Sequence, residues 1–510
     1  MQNYIFCKRE RHSKPDNQLL WSSFDFYYVG LRGFSKMTLF KKGQILTDIV
    51  ILDAVSDGSG LARIHDCVVF VPGGLPGDVV SIILTRKEKK FWNAQLLEIT
   101  TPSPDRIQAA CEHFGICGGC KWQSLTYAKQ LFFKEKQLQD AIQRIGDVEP
   151  LVRKPILANK TAFEFRNKLE FTFSEKGWLT QAQIQSQEVL ARQALGFHVQ
   201  GFFDRVLPVT RCFLMDDRVN DVRNAVYEFC KEQRFSFFNL KYQTGLLRQL
   251  VFRTSTYFPD FMVILILSEP EQAAIDAIFS FLQLKFPFLT SFVWIVNNKK
   301  NDQYIDLPFY LWERSRSKNL PYIREKLLCK EFVIGPTSFF QTNTLQAERL
   351  YSLVKEAINR PVQLLWDLYC GTGSIGITLA SLAKKIIGIE FSENSIADAV
   401  RNCQMNGLEN FSFFSGDITK ILKDNTAILL HGKPDVVVVD PPRVGLHPEV
   451  VSALNLIQPK QIVYVSCNPA TQARDIKTLS ENYQLRSIQA VDMFPQTSHV
   501  ESVADLWLKD

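Results

Sequence analysis

From about residue 336 onward, short, wholly apolar runs alternate with amphipathic stretches, and the runs lead into polar residues. Val436-Val-Val-Val439 offers no polar side at all, so a strand there must be covered on both faces. Strands are expected at Leu364–Tyr369, Lys385–Glu390, Phe411–Ser415, Asp435–Val439 and Gln461–Ser466, with helices at Ser374–Ala383 and Ser392–Met405 between them. This alternation predicts a doubly wound, Rossmann-like α/β sheet that presents ligand-binding residues at the carboxyl ends of its strands.

That sheet accounts for only part of the chain. At 510 residues the protein exceeds the roughly 250–300 at which a single core stops growing, so several domains are expected. Residues 1–36 carry no periodicity and read as an extension, either disordered or preceding a true start at Met37. Residues 37–100 read as a small all-β barrel. Its runs (Ile45–Leu52, Cys67–Val71, Asp78–Leu84, Phe91–Thr100) are broken by Asp57-Gly-Ser-Gly60 and Pro72-Gly-Gly-Leu-Pro-Gly77, which predicts five strands in an OB-like fold. Residues 101–335 mix helix-like and strand-like stretches and are expected to form an α+β middle domain; residues 336–510 hold the doubly wound sheet.

No apolar run reaches the ~20 residues that span a bilayer, and the amino terminus lacks a signal-peptide core, so a soluble, cytoplasmic protein without membrane contact is expected. The net charge of +6 favours a polyanionic partner. Arg86-Lys-Glu-Lys-Lys-Phe-Trp92 interleaves cations with rings, as binding of RNA phosphates and bases requires. A monomer is expected.

The polar residues that end the strands carry the chemistry. Asp367-Leu-Tyr-Cys-Gly-Thr-Gly-Ser374 is a strand, a Gly-rich turn and a helix start, and Glu390 ends the next strand about 20 residues on, where an acid meets ribose hydroxyls. Asp417 follows the third strand, placed for an adenine edge. A nicotinamide dinucleotide uses a similar layout, but the turn, Glu390 and Asp417 together favour S-adenosylmethionine, and Asp440-Pro-Pro-Arg443 argues against the dinucleotide. The two prolines stiffen a wall at the sheet edge that can hold a planar ring, with Asp440 reading its polar border.

Cys467 follows the next strand and precedes Asn468-Pro469, a turn signal rather than a core one. Carbon-5 of uracil is a poor nucleophile; thiolate addition at carbon-6 makes it reactive, and a base must later remove its proton so that the thiolate can leave. Glu501 is the candidate base and His499 its rival. Cytosine-5 methylation would call for a second cysteine at this edge, and only Cys370, within the Gly-rich turn, is available.

Among 11 cysteines, Cys111, Cys117 and Cys120 crowd a Gly-rich stretch, and Cys212 is the choice for a fourth ligand. Four thiols suit zinc or an iron–sulfur cluster, and spacing does not separate the two.

Taken together, these residues resemble the bacterial RNA uracil-5-methyltransferases, in particular the 23S ribosomal RNA type, from about residue 40 to the carboxyl terminus. The resemblance implies that residues 43–100 form a TRAM domain and that Cys111, Cys117, Cys120 and Cys212 ligate a 4Fe–4S cluster. Phe339-Phe-Gln-Thr-Asn343 matches a family element, which implies S-adenosylmethionine contacts from Gln341 and also from Tyr369, Ser374, Glu390, Asp417 and Asp440. It implies Cys467 as nucleophile and Glu501 as base. Phe165-Arg-Asn-Lys168 and Leu247-Arg-Gln-Leu250 also look like family segments, whose cations are expected to touch RNA. Ser374 departs from the family's usual asparagine, and residues 1–36 and roughly 175–195 have no counterpart. The expected activity is methylation of a uridine in 23S ribosomal RNA. Methylation of a transfer-RNA T-loop, and an inactive RNA-binding or assembly factor, are the other two readings.

Overall fold

The computed structural model describes residues 40–179, 184–185, 192–315, 319–424 and 431–510. The expected extension 1–36 lies outside the described residues, as does part of the stretch 175–195.

Residues 45–101 form a six-stranded sheet rather than the expected five strands. Its two edge strands, Ile45–Val50 and Asp53–Ala54, are nearly continuous in sequence. Between them Ile51 N donates to Asp78 O and Leu52 N to Leu61 O, so one stretch of chain joins both edges and closes the barrel. Val69, Val71, Val80, Ile82, Leu84 and Trp92 fill it.

A seven-stranded sheet follows in the middle of the chain, largely antiparallel, with Phe261–Leu267 and Ser291–Val296 as its parallel pair. The helix Gln272–Lys285 makes that crossover and packs, with Arg218–Glu232, on a buried aromatic-rich face. The sheet's strand Lys168–Ser174 begins only after Glu164, whose left-handed conformation (φ 53°) interrupts extension.

The carboxyl-terminal sheet has eight strands in the order Phe411–Ser415, Ala383–Glu390, Val362–Leu368, Val436–Val439, Gln461–Ser466, Glu501–Leu508, Tyr483–Val491, Val152–Leu157. Two features go beyond the sequence reading. Glu501–Leu508 runs antiparallel to both neighbours. Val152–Leu157, expected in the middle domain, is instead the edge strand here, and the helix Tyr127–Ala141 packs on the same sheet through Leu138 and Ala141. The all-valine strand behaves as its sequence demands: Val436 and Val438 belong to the core on one face, Val437 and Val439 to the core on the other. Each such side chain contributes about 1.5–3 kcal/mol before entropy is counted. No described helix is long and apolar enough to cross a membrane.

Candidate active site

Five parallel strands end on one edge of the sheet, and there the chain turns into Tyr369, Glu390, Asp417, Asp440 and Cys467. The antiparallel strand begins at that same edge. Ser466 pairs with Ser502, so the chain leaving toward Cys467 and the chain arriving through Glu501 lie side by side.

The turn after Val362–Leu368 is tightly wound. Tyr369, Gly371 and Gly373 all have left-handed backbone angles (φ 62°, 53° and 76°), which glycine adopts freely and tyrosine only under constraint. Buried Asp367 accepts Gly376 N at 2.9 Å, fastening the helix start to the strand; its other oxygen has no partner, and burial pushes its pKa up to about 7. Glu390 accepts Gly371 N (3.1 Å) and Ser392 N (3.0 Å), bracing the turn. Asp417 caps the helix Ile418–Lys423, accepting Thr419 N at 2.9 Å and the Thr419 hydroxyl at 2.6 Å through one oxygen, which leaves the second for a ligand.

A cavity of about 490 Å³ opens beyond, lined by Tyr369, Asp417, Pro442, His447 and Phe391. Phe391 is 75% exposed there, a ring no sequence argument singled out, although its place directly after Glu390 was the available signal. Ser374 and Gln341 are not part of that lining. Ser374 Oγ lies 3.1 Å from the hydroxyl of buried Tyr351. Gln341 O accepts Asn167 Nδ2, just ahead of Asn343, which caps the helix Thr344–Ile358.

Asp440, Cys467 and Glu501 act on one another electrostatically. Burial, then the neighbouring Asp440, lifts Glu501 to about 8, with Arg443 opposing. Burial lifts Asp440 to about 7. The Cys467 thiol is pushed up to about 11 by burial, then by Glu501 and Asp440, with Arg443 opposing. Arg443 O accepts Asn468 Nδ2 (2.9 Å) and Thr471 Oγ1 (3.3 Å), tying the proline wall to the cysteine loop. Its Nη2 lies 3.2 Å from both ring nitrogens of His499, whose pKa is lowered to about 4 by desolvation of the ring in its cleft and then by nearby cations, Arg443 foremost. Cys370 is buried, and its thiol is pushed well above the usual range.

Cys111, Cys117 and Cys120 and the sequence-distant Cys212 line one cavity of about 470 Å³ together with Arg166, Lys168, Phe213 and His499. Burial raises all four thiols, Cys120 to about 11 and Cys212 to about 12, and the other three thiols raise Cys212 further. Four half-buried soft donors around one space fit the chemistry of a thiolate-held metal centre. Their positions do not close on an ion: among the described residues no three His, Cys, Asp or Glu side chains form a metal-holding group.

Of the cations expected to touch RNA, Arg248 is unavailable. It is 1% exposed and spent on Asn297 O, Lys299 O, Asn301 O and Asp302. Lys168 pairs with Glu170 at 2.5 Å, and Arg166 lies over the Phe494 ring with its Nε unpartnered.

Residues 317–509 match the family model for tRNA (uracil-5-)-methyltransferase, and residues 41–97 that for the TRAM domain. A protein of Bacteroides thetaiotaomicron named as an uncharacterized RNA methyltransferase is 42% identical, over 89% of this chain and 100% of its own. One of Porphyromonas gingivalis with the same name is 41% identical, over 89% and 98%. The crystal structure of Pyrococcus abyssi tRNA (uracil-54, C5)-methyltransferase with S-adenosyl-L-homocysteine superposes with a TM-score of 0.68 at 30% identity, covering 90% of this chain and 99% of that one. With its TRAM barrel, its cofactor turn and its methyltransferase sheet, the chain belongs to the RNA uracil-5-methyltransferase family and is an S-adenosylmethionine-dependent RNA methyltransferase.

Proposed function

We propose that this enzyme methylates carbon-5 of one uridine in 23S ribosomal RNA through a covalent bond from Cys467, which Glu501 resolves. The observation that supports the reading is the pairing of Ser466 with Ser502, which brings Cys467 and Glu501 to one edge of the sheet. The target base must leave its stack to reach that edge. Asp440, against its proline wall, accepts a hydrogen bond from the uracil edge. Cys467 adds to carbon-6 as thiolate, and the electrons moved onto the ring make carbon-5 nucleophilic. S-adenosylmethionine would supply the methyl group, held by Tyr369, Glu390, Asp417, Asp440 and Phe391, with Gln341 and Ser374 as further contacts. Glu501 then takes the carbon-5 proton, and the carbon–sulfur bond breaks to free Cys467. Glu501, raised to about 8, is matched to proton transfer near neutrality; His499, lowered to about 4, is a poor base there.

The four cysteines hold a 4Fe–4S cluster on this reading, a staple for the segment around them rather than a participant in a reaction that needs no electron transfer. Zinc is the second candidate.

A transfer-RNA substrate is the second reading, favoured by the likeness to the Pyrococcus abyssi enzyme. Mapping 5-methyluridine in ribosomal and transfer RNA from a deletion strain decides between them: a site missing from 23S RNA supports the first, one missing from tRNA the second. Methyl transfer undiminished in Cys467→Ala would refute the covalent mechanism for either. Failure of S-adenosylmethionine to bind in calorimetry would return the inactive assembly factor.

A further inference from the structure

The segment Asp492–Val500, which leads to Glu501, is held by the barrel, by the helix Tyr127–Ala141, by Asn343 and by the residues after Cys120. Lys134 and Asp492, both fully buried, pair at 2.5 Å, and Lys134 Nζ also donates to Phe494 O at 2.9 Å. The Tyr127 hydroxyl donates to the other Asp492 oxygen at 2.7 Å. Asn343, two residues past Gln341, donates to Met493 O at 2.8 Å. Ser498 Oγ donates to Ser56 O of the barrel at 2.6 Å.

Gln496 is the centre of this network. Its backbone is left-handed (φ 67°), a conformation that a glutamine keeps only when its surroundings over-determine it. Gln130, 1% exposed on the helix Tyr127–Ala141, supplies the constraint. Its Oε1 accepts Gln496 N at 2.9 Å and its Nε2 donates to Gln496 Oε1 at 3.0 Å, a two-point match between residues 366 apart in sequence. The same Nε2 lies 2.9 Å from Trp122 O and from Leu125 O. Gln496 O in turn accepts Lys121 N (2.8 Å) and Trp122 N (3.0 Å), the two residues directly after Cys120. The cysteine segment and the segment of the base therefore meet at one residue.

We propose that Gln130, acting through Gln496, is a positioning residue for the base: it fixes the segment leading to Glu501 and links its placement to the cysteine segment. The proposal rests on Glu501 being that base. Side chains this far from the substrate matter because a 1 Å misplacement of a reacting group costs roughly 10²-fold in rate.

The test uses the full-length enzyme and an RNA transcript that the wild type methylates. Gln130→Leu removes the two-point match. Gln496→Asn keeps a residue that tolerates the left-handed backbone and the backbone N–H to Gln130 Oε1, but its shorter amide withdraws the acceptor from Gln130 Nε2. Each is expected to slow product release by roughly 10- to 100-fold, accumulate the methylated RNA–protein adduct on a denaturing gel, and leave affinity for S-adenosyl-L-homocysteine unchanged. The double variant should lose no more than the worse single one, as for two halves of one contact. Release at the wild-type rate, or adduct formation and release reduced in equal proportion, would overturn the proposal. So would a lower melting temperature with the adduct fraction unchanged. If Gln130→Leu does not fold, Gln496→Asn carries the test alone. Glu501→Gln is run beside them: if it forms no adduct, the base assignment fails and the proposal with it. If it forms adduct while the glutamine variants turn over normally, only the positioning role fails.

Discussion

Ser466 and Ser502 are the last pair of the antiparallel junction, and each adjoins a residue of the candidate site, Cys467 after one and Glu501 before the other. Burial, then Glu501 and Asp440, holds the Cys467 thiol near 11, so it is protonated at neutral pH. Thiolate formation then depends on what occupies the space between the three groups.

Glu501→Gln removes one of the two carboxyls that raise the thiol. Its Cys467 should titrate below about 11 and react faster with iodoacetamide at pH 9 than the wild type. Rates of alkylation against pH, with Cys467→Ala as the blank, check this. An unchanged midpoint would show that burial alone sets the thiol.

The pH dependence has a definite sign. Glu501 works as carboxylate and its pKa is raised to about 8, so the rate should climb as pH rises from 6 through 8. Asp440, raised to about 7, adds to that climb where it accepts a hydrogen bond. Single-turnover rates from pH 6 to 9 should trace one rising limb, whose apparent midpoint belongs to the coupled pair. A limb near 4 would point to His499.

Stability should move the other way. Asp367 is held protonated relative to an unfolded chain, from 3.8 up to about 7, so the folded state loses stability as pH rises through that window. Asp367→Asn should flatten the fall in melting temperature between pH 5 and 8, while loosening the cofactor turn that Asp367 fastens through Gly376 N. Thermal scans at several pH values read both effects.

Phe391→Ala should weaken S-adenosyl-L-homocysteine binding by about 5- to 100-fold, the range for losing one stacking ring worth about 1–3 kcal/mol. Calorimetry measures it. Because Phe391 is 75% exposed, the folded core should be unaffected and the melting temperature within about 2 °C of wild type.

Protein purified without oxygen should carry iron and visible absorbance, and Cys212→Ser should lose both. Zinc in place of iron would reassign the centre. Neither metal would mean that four half-buried thiols serve packing alone, at odds with their gathering around one cavity.

The sequence by itself determined the parallel strands, since an all-apolar run such as Val436–Val439 has no stable place except between two covered faces. It also determined the residues at the strand ends, because Gly-rich turns, paired prolines and a cysteine before Asn-Pro are local signals. Other features belonged to the tertiary structure. The reversal of Glu501–Leu508 brings Glu501 beside the end of the strand that leads to Cys467, and strand direction leaves no mark in a pattern of period two. Val152–Leu157 joins the far edge of a sheet formed more than 200 residues later, and Arg248 is buried in a segment that reads as an RNA contact. Gln130 and Gln496 meet across 366 residues, a contact between two ordinary polar side chains. Long-range pairings of this kind follow from how layers stack, and only the folded chain specifies them.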